Sequence, residues 1–196
     1  MFKSFITALI AAFTLQSTTL QASVQTDAFS VSYRAYTYAI NHRITDKSIY
    51  VFIDFTKPST EKRLYVVDNG NIIYSTWVTH GISSGNGSYV TSFSNIPNSK
   101  ASSIGVSQVL SYYQGEHGKS ARLQGLDQGF NDNMFRREVV VHAANYIGYG
   151  KTGHSWGCFA VPQDQLYTVL RYLTPGTIIV AYYPDSTWLN HSKFLH

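Results

Sequence analysis

The chain has a single cysteine, few charged residues and no cluster of basic ones. Lys, Arg, Asp and Glu make up 13% of the 196 residues, and Cys158 is the one cysteine. One thiol excludes an internal disulfide framework and any metal site built on several cysteines. Nucleic-acid binders usually concentrate Lys and Arg on one face. The scattered basic residues and the net charge of +4 therefore argue against a nucleic-acid partner.

The first 22 residues have the features of a secretory signal peptide. Lys3 precedes an apolar run over residues 5–15, and the small Ala22 offers a cleavage point. The run is shorter than the ~20 residues that cross a bilayer, and an uncleaved anchor is the alternative. We expect an exported protein without stable membrane insertion after signal removal. The predicted parts are a signal peptide (1–22), an N-terminal helical segment (23–47) and one domain (48–196).

Hydrophobic periodicity predicts a mainly β domain with minor α. Residues 27–43 and 162–173 have apolar side chains at helical spacing, with Asp27 as cap of the first helix and Pro162 at the start of the second. Segments rich in β-branched and aromatic residues predict strands. These segments are residues 48–55, 63–68, 72–80, 106–114, 120–126, 138–143 and 177–183. Asn69-Gly70 predicts a hairpin between two of them. A β-sandwich or a mixed sheet is the expected architecture.

Candidate chemistry is concentrated between His142 and Cys158. A buried strand is predicted to end at His142, and a glycine-rich loop then leads to Cys158. A thiolate is a good nucleophile, and a neighbouring imidazole can take the thiol proton. Gly157 allows close backbone approach, so amides around Gly157 and Cys158 are candidates to stabilise an oxyanion. From the residues alone, the alternative is a buried, inert Cys158 and a hydrogen-bonded His142 at the strand end.

The same segment resembles L,D-transpeptidases, in the branch described as murein L,D-transpeptidase catalytic domain-like. Ser155-Trp156-Gly157-Cys158 is similar to their S-x-G-C motif, and Val140-Val141-His142-Ala143 is similar to their upstream histidine strand. Further matching stretches are residues 54–68, 80–81, 84–87, 91–95, 102–105, 115–126 and 129–133. The resemblance runs from about residue 52 to 184. It implies that residues 48–196 form the catalytic domain, with a helix before it and another after the cysteine.

The resemblance implies a periplasmic or cell-wall enzyme that acts on peptidoglycan stem peptides without a metal or organic cofactor. Cys158 would be the nucleophile and His142 the general base. Ser155 and Gly157 complete the predicted catalytic residues, with Ser155 expected to fix the loop by hydrogen bonds and to assist the oxyanion site. Cys158 would attack the carbonyl of the L-configured centre of diaminopimelate at stem position three, and D-alanine would leave. An amine of another stem would then accept the acyl group, and water as acceptor would make the enzyme an L,D-carboxypeptidase. We expect a monomer.

Two residues depart from the commonest family motif. Trp156 stands where histidine usually follows the serine, so His154 becomes the second candidate base. Ala160 stands where arginine usually comes two residues after the cysteine, which removes an obvious partner for a substrate carboxylate. Guanidinium groups bind carboxylates in fork geometry. The candidates to replace that arginine are Arg122, Arg136 and Arg137, with solvated surface charge as the alternative for each.

Other side chains are predicted to line the substrate groove. His80 and His117 lie in glycine-flanked loops that match the family, and a loop hydrogen bond is the alternative role for each. The predicted substrate-binding residues are thus His80, His117, Arg122, Arg137 and Trp156. A zinc site made from His80, His117, His142 and His154 is not favoured, because no H-x-x-x-H spacing supports it.

Two other functions remain open at the level of the sequence. The absent arginine at Ala160 motivates a carboxypeptidase or amidase that hydrolyses the same class of wall peptide. Trp156, in place of a polar neighbour of the thiol, motivates a catalytically inactive domain that binds peptidoglycan.

Overall fold

The computed structural model describes residues 27–196. The predicted signal peptide lies outside the described residues, and the boundaries of the three predicted parts stay predictions. Among the described residues, no helix combines the length and the apolar character needed to cross a membrane.

The first helix, α1 (Ala28–Asn41), begins where the capping signal predicts. The Asp27 carboxylate accepts hydrogen bonds from the N–H groups of Phe29 and Ser30, both at 3.1 Å, and so satisfies two free donors of the first turn. The buried face of the helix carries Val31, Ala35 and Ala39, spaced four residues apart. This confirms the predicted N-terminal helix, which ends two residues earlier than expected.

Ten strands follow, most of them at the predicted places. They are β1 (Ile49–Asp54), β2 (Leu64–Asp68), β3 (Asn71–Thr76), β4 (Gly105–Gly115), β5 (Gly118–Gly125), β6 (Val140–Ala144), β7 (Ile147–Gly148), β8 (Lys151–Thr152), β9 (Phe159–Pro162) and β10 (Ile178–Tyr182). The remaining helices are α2 (Leu166–Tyr172) and α3 (Ser186–His191), with short 3-10 turns at Ile82–Ser84 and Lys193–Leu195. Asn69 and Gly70 both have positive φ, 48° and 79°, which is the backbone of a tight hairpin turn and confirms the predicted one.

Eight strands form one mixed sheet in the order β3-β2-β1-β10-β4-β5-β6-β9, and β7 and β8 form a separate hairpin. The pairs β1–β10 and β6–β9 are parallel, and the other neighbours are antiparallel. Of the two architectures predicted, the mixed sheet is the one present. The mainly β fold with minor α and with a helix after the cysteine is confirmed.

The sheet buries apolar side chains on both faces. In β1, Val51 and Ile53 pack toward α2, whereas Tyr50 and Phe52 pack toward α1 and the C-terminal segment. A strand covered on both sides reads as a continuous apolar run, which explains why residues 48–55 show no clean alternation.

Several predicted boundaries are wrong. Pro162 does not start a helix, because it closes β9, and α2 begins four residues later at Leu166. The strand predicted over residues 72–80 ends at Thr76. The short strands β7, β8 and β9 and the helix α3 were not predicted, because two- to six-residue elements carry too few positions to show a period.

Candidate active site

Parallel pairing of β6 and β9 brings His142 and Cys158 to one wall. His142 lies opposite Ala160 in the register, and Val141 lies opposite Phe159. Cys158 immediately precedes β9, so it shares a sheet face with Ala160 and with His142. Cys158 and His142 are offset by two residues along the strands and by one inter-strand spacing, which puts their Cα atoms about 8 Å apart. An imidazole and a thiol side chain can span that distance.

This wall faces a cavity of about 730 Å³. The predicted site residues on its lining are His117, Arg122, Arg137, His142, His154, Ser155, Trp156 and Cys158. Side chains that the sequence did not single out also line it, among them Tyr113, Glu116, Phe135, Glu138 and Tyr146. The sequence therefore singled out half of the residues that line the cavity, and missed the aromatic side chains Tyr113, Phe135 and Tyr146.

The Cys158 thiol is half-buried and lies on the cavity, outside the hydrophobic clusters of the core. Its Sγ donates a hydrogen bond to the carbonyl oxygen of Glu138, 3.6 Å away. Burial raises the pKa of the thiol, although the Val140 N–H that hydrogen-bonds the sulfur and the nearby Arg137 cation both oppose this. The resting thiol therefore keeps its proton.

His142 is only 3% exposed, and its ring is held in one orientation. The Nδ1 atom lies 2.8 Å from the carbonyl oxygen of Ala143. Because a carbonyl can only accept, Nδ1 carries the hydrogen and Nε2 is left with a free lone pair. Burial lowers the pKa of His142, and the nearby His117 lowers it further. The ring is therefore neutral at pH 7 and able to take a proton.

The two imidazoles of His142 and His117 are stacked. Their ring centroids are 4.5 Å apart and their planes differ by 22°. His117 belongs to the tight turn between β4 and β5 and is exposed. The predicted groove-lining residue therefore contacts the predicted base directly, which no sequence spacing indicated.

A tight turn from Ser155 to Cys158 presents the thiol. The Ser155 hydroxyl donates to the Cys158 carbonyl at 2.7 Å and accepts from the Gly157 N–H at 3.1 Å. Gly157 has φ 114°, and a Cβ there would lie 2.7 Å from the Ala101 carbonyl oxygen, so only glycine fits. Ser155 uses the Gly157 N–H, whereas within residues 27–196 the Cys158 N–H donates to no group and is the freer oxyanion donor.

The three candidate arginines have different surroundings. Arg137 donates four hydrogen bonds of 2.6 to 3.0 Å, all to the loop from Ser94 to Ser103, and burial lowers its pKa. Arg122 lies on the cavity against the rings of Tyr113 and Phe135, at 4.6 and 5.7 Å from their centroids. Among the described residues, no carboxylate pairs with Arg122.

Arg136 is exposed and does not line the cavity. Since Arg137 is committed to the loop and Arg136 points elsewhere, Arg122 is the guanidinium on the cavity wall that is free for a ligand. Ala160 is fully buried in a small cluster with Ala144 and Ile147.

The remaining histidines form a second pair. His80 is fully buried and outside the cavity lining, and its Nδ1 lies 2.9 Å from the Arg63 guanidinium. His154 lines the cavity, hydrogen-bonds the Gly87 carbonyl through Nε2 at 2.7 Å, and meets the His80 ring edge to face. The substrate contact predicted for His80 stays a prediction. In the described part of the chain, no group of three or more His, Cys, Asp or Glu side chains is arranged to hold a metal ion.

The family model described as L,D-transpeptidase catalytic domain matches residues 20–182. No curated protein matches the chain.

Solved structures that resemble the chain include three L,D-transpeptidases. That from Xylanimonas cellulosilytica is 17% identical, with TM-score 0.45, over 69% of this chain and 61% of that one. That from Mycobacterium smegmatis is 13% identical, with TM-score 0.44, over 69% and 59%. That from Stackebrandtia nassauensis is 17% identical, with TM-score 0.43, over 80% and 67%. The chain thus spans about 60% of the length of the first two.

Proposed function

We propose that this chain, which belongs to the L,D-transpeptidase catalytic domain family, is a cysteine acyltransferase that acts on peptidoglycan stem tetrapeptides. The observation that carries the proposal is that His142 on β6 and Cys158, immediately before the parallel neighbour strand β9, both line one cavity. A nucleophile and a base on neighbouring strands of a rigid sheet are pre-positioned for proton transfer.

In the first half-reaction, the Cys158 sulfur attacks the carbonyl of the third stem residue. The thiol proton passes to Nε2 of His142, which requires the S–H to turn from the Glu138 carbonyl toward the imidazole. The carbonyl oxygen becomes an oxyanion, and the Cys158 N–H is the donor placed to stabilise it. The C–N bond then breaks, His142 returns the proton to the leaving D-alanine amine, and a thioester remains.

In the second half-reaction, an amine of another stem attacks the thioester. His142 takes the amine proton, the C–S bond breaks, and the thiolate recovers the proton from the imidazolium. Because the resting thiol and imidazole are both neutral, the proton moves during attack rather than beforehand. Water in place of the amine gives the hydrolytic product of an L,D-carboxypeptidase.

Arg122 is the group proposed to bind a carboxylate of the stem peptide. It lies on the cavity between two aromatic rings that limit its motion, and its guanidinium has no protein carboxylate to compete with a ligand. Fork-shaped pairing with a carboxylate supplies both charge and orientation. This assignment replaces the arginine that the commonest family motif has at the position of Ala160.

Location outside the cytoplasm is part of the proposal, because stem peptides are wall components. It is supported by the signal-like features of residues 1–22 and by the family. The N-terminal residue of the protein recovered from cells, determined by mass spectrometry, tests it. A chain that still begins at Met1 and fractionates with cytoplasmic proteins would contradict export.

The decisive experiment compares the wild type with Cys158→Ala on purified stem tetrapeptide, with and without an added amine acceptor. We expect the variant to lose at least about 10³-fold in rate, since removal of a nucleophile costs a catalytic site most of its rate. Cross-linked or amine-exchanged product favours transfer, and tripeptide alone favours hydrolysis. Equal products from both proteins would remove Cys158 as nucleophile and leave a binding domain as the better description.

A further inference from the structure

The loop beside the thiol has an unusual composition. From Gly81 to Ser99 it contains no charged residue and no histidine, but six serines, three asparagines and exposed apolar side chains. Lys100 is the first charge that follows. Such a segment offers neutral hydrogen-bonding groups around apolar surface, with no set of cations to attract a polyanion.

Trp156 lines the cavity, Lys100 lies over its ring, and the Ile82 backbone bonds the residue before it; we name these three residues the rim platform. The Trp156 side chain is 73% exposed, and Ile82 is 52% exposed. The Lys100 Nζ lies 4.4 Å from the centroid of the indole ring. The N–H of Ile82 donates to the carbonyl of Ser155, the residue before Trp156, at 2.9 Å, and Ser83 likewise donates to Lys100 at 3.2 Å.

Hydrogen bonds from Arg137 fix the residues on either side of Lys100 in the rim platform. Arg137 donates to the Ala101 carbonyl and the Ser99 hydroxyl on either side of Lys100, at 2.6 and 3.0 Å. Gly157, which follows Trp156, packs against the same Ala101 carbonyl. Both segments that carry the platform are therefore anchored to one arginine-centred network, and the indole face is presented without a large ordering cost.

Large exposed apolar side chains at the mouth of a cavity mark a ligand surface. An indole is a broad apolar plane with one polar N–H, and it suits a partner that has an apolar face and polar edges. A pyranose ring has both features, and an N-acetylated glycan is neutral, like this loop. A polyanionic wall polymer would instead need several unpaired cations. The cation next to this loop, Lys100, lies against the indole ring of Trp156.

We propose that the rim platform binds the neutral N-acetylated glycan from which the stem peptide in the cavity extends. The inference rests on the proposed function. Its geometry is consistent with the chain lengths involved: Trp156 and Cys158 are two residues apart, so at most about 7 Å separates their Cα atoms. Three extended stem residues span about 10 Å, which is long enough for the sugar to reach the indole when the third carbonyl is at the sulfur.

The test compares two substrates, the free tetrapeptide and the same tetrapeptide on its disaccharide, by the ratio of their kcat/KM values. The wild type is expected to favour the glycan-linked form, and Trp156→Ala to reduce that ratio about 3- to 10-fold, the worth of one aromatic contact. Trp156→Phe should restore part of it. Tyr167→Ala is the matched control, since this aromatic side chain is 70% exposed but lies on α2 in a different groove.

A binding measurement separates failure of this inference from failure of the proposed function. The Cys158→Ala protein is titrated with the neutral N-acetylglucosamine trisaccharide, and tryptophan fluorescence is followed with and without Trp156→Phe. Saturable quenching that disappears with Trp156 supports the platform even if no turnover of any peptide is found. The inference would be overturned if the sugar gave no response. It would also be overturned if Trp156→Ala left the ratio of kcat/KM values unchanged, or if Tyr167→Ala lowered that ratio equally.

Discussion

Two regions of this protein each contain a histidine and an arginine. They differ in whether a ligand can reach these side chains. In the sealed region, His80 and Arg63 are both fully buried, and Arg63 donates to His80 and to the carbonyls of Lys57 and Val78. In the cavity region, His142 has one ring nitrogen free and Arg122 has no carboxylate partner among the described residues.

Burial acts on both regions in the same way. It lowers the pKa of His80 to about 3 and that of Arg63 to about 9, and it also lowers the pKa of His142. A neutral buried histidine is therefore not in itself a sign of catalysis. In both histidines Nε2 has no hydrogen-bond partner among the described residues. What separates His142 from His80 is access, because His142 lines the cavity that Cys158 also lines, whereas His80 lies outside it.

The largest expected difference between the regions is in activity. His142→Asn removes the proposed base, so kcat/KM on the stem tetrapeptide should fall by about 10²- to 10⁴-fold. His80→Asn keeps an acceptor for the Arg63 guanidinium and should cost less than about tenfold. The comparison uses initial rates of D-alanine release at pH 7.5, with circular dichroism to verify folding. Equal losses in both variants would show that the division into sealed and catalytic regions is wrong.

The arginine on the cavity should govern substrate affinity. Arg122→Ala is expected to lower kcat/KM for the tetrapeptide by about 10- to 100-fold, mainly through KM, because a charge-assisted hydrogen bond contributes about 1.5–3 kcal/mol. Arg136→Ala, an exposed arginine outside the cavity, is the matched control and should change it less than twofold. If both variants behave alike, the carboxylate is bound elsewhere.

The sealed region should appear in the pH dependence of stability. His80 binds a proton in the unfolded chain below its ordinary pKa of 6.5 but not in the folded chain until about pH 3. The unfolded state therefore gains protons first, and the free energy of unfolding falls as pH drops from 6.5 toward 3. Between pH 7.5 and 5.0 the expected loss from His80 is about 2 kcal/mol.

Urea unfolding at those two pH values measures this loss. The loss should shrink in His80→Asn and persist in His191→Asn, which removes an exposed histidine of α3. An equal pH dependence in wild type and His80→Asn would place its source in other groups.

The smallest expected effect concerns the ring stack on His142. A charge on His117 disfavours a charge on His142, so the wild-type enzyme keeps its base neutral to lower pH. His117→Phe preserves a stacked ring without that charge, and the pKa of His142 should rise. The acid limb of kcat/KM, expected below pH 6.5 in the wild type, should move toward higher pH. A limb that stays in place or moves down would mean that the stack does not influence the base.

Local patterns predicted the elements that are long or strongly signalled. Asp27 as helix cap, Asn69-Gly70 as hairpin turn, and the strand that ends near His142 are all present. Pro162 shows the limit of this reasoning: proline fits a first helical turn and also the end of an edge strand, and only β9 on the sheet edge decides between them. The strand β9 has only four residues, and all four are buried, so it shows no alternation by which to recognise it.

The sequence by itself determined the chemical inventory: one thiol, a histidine 16 residues before it, a glycine directly before it, and three candidate arginines. The tertiary structure alone decided which of these act together. It paired β6 with β9 in parallel, stacked His117 on His142, sealed His80 with Arg63, and left Arg122 on the cavity while the loop engaged Arg137. The reason is physical: each of these contacts joins segments distant along the chain, and long-range packing that spacing cannot encode selects among the partners that local chemistry permits.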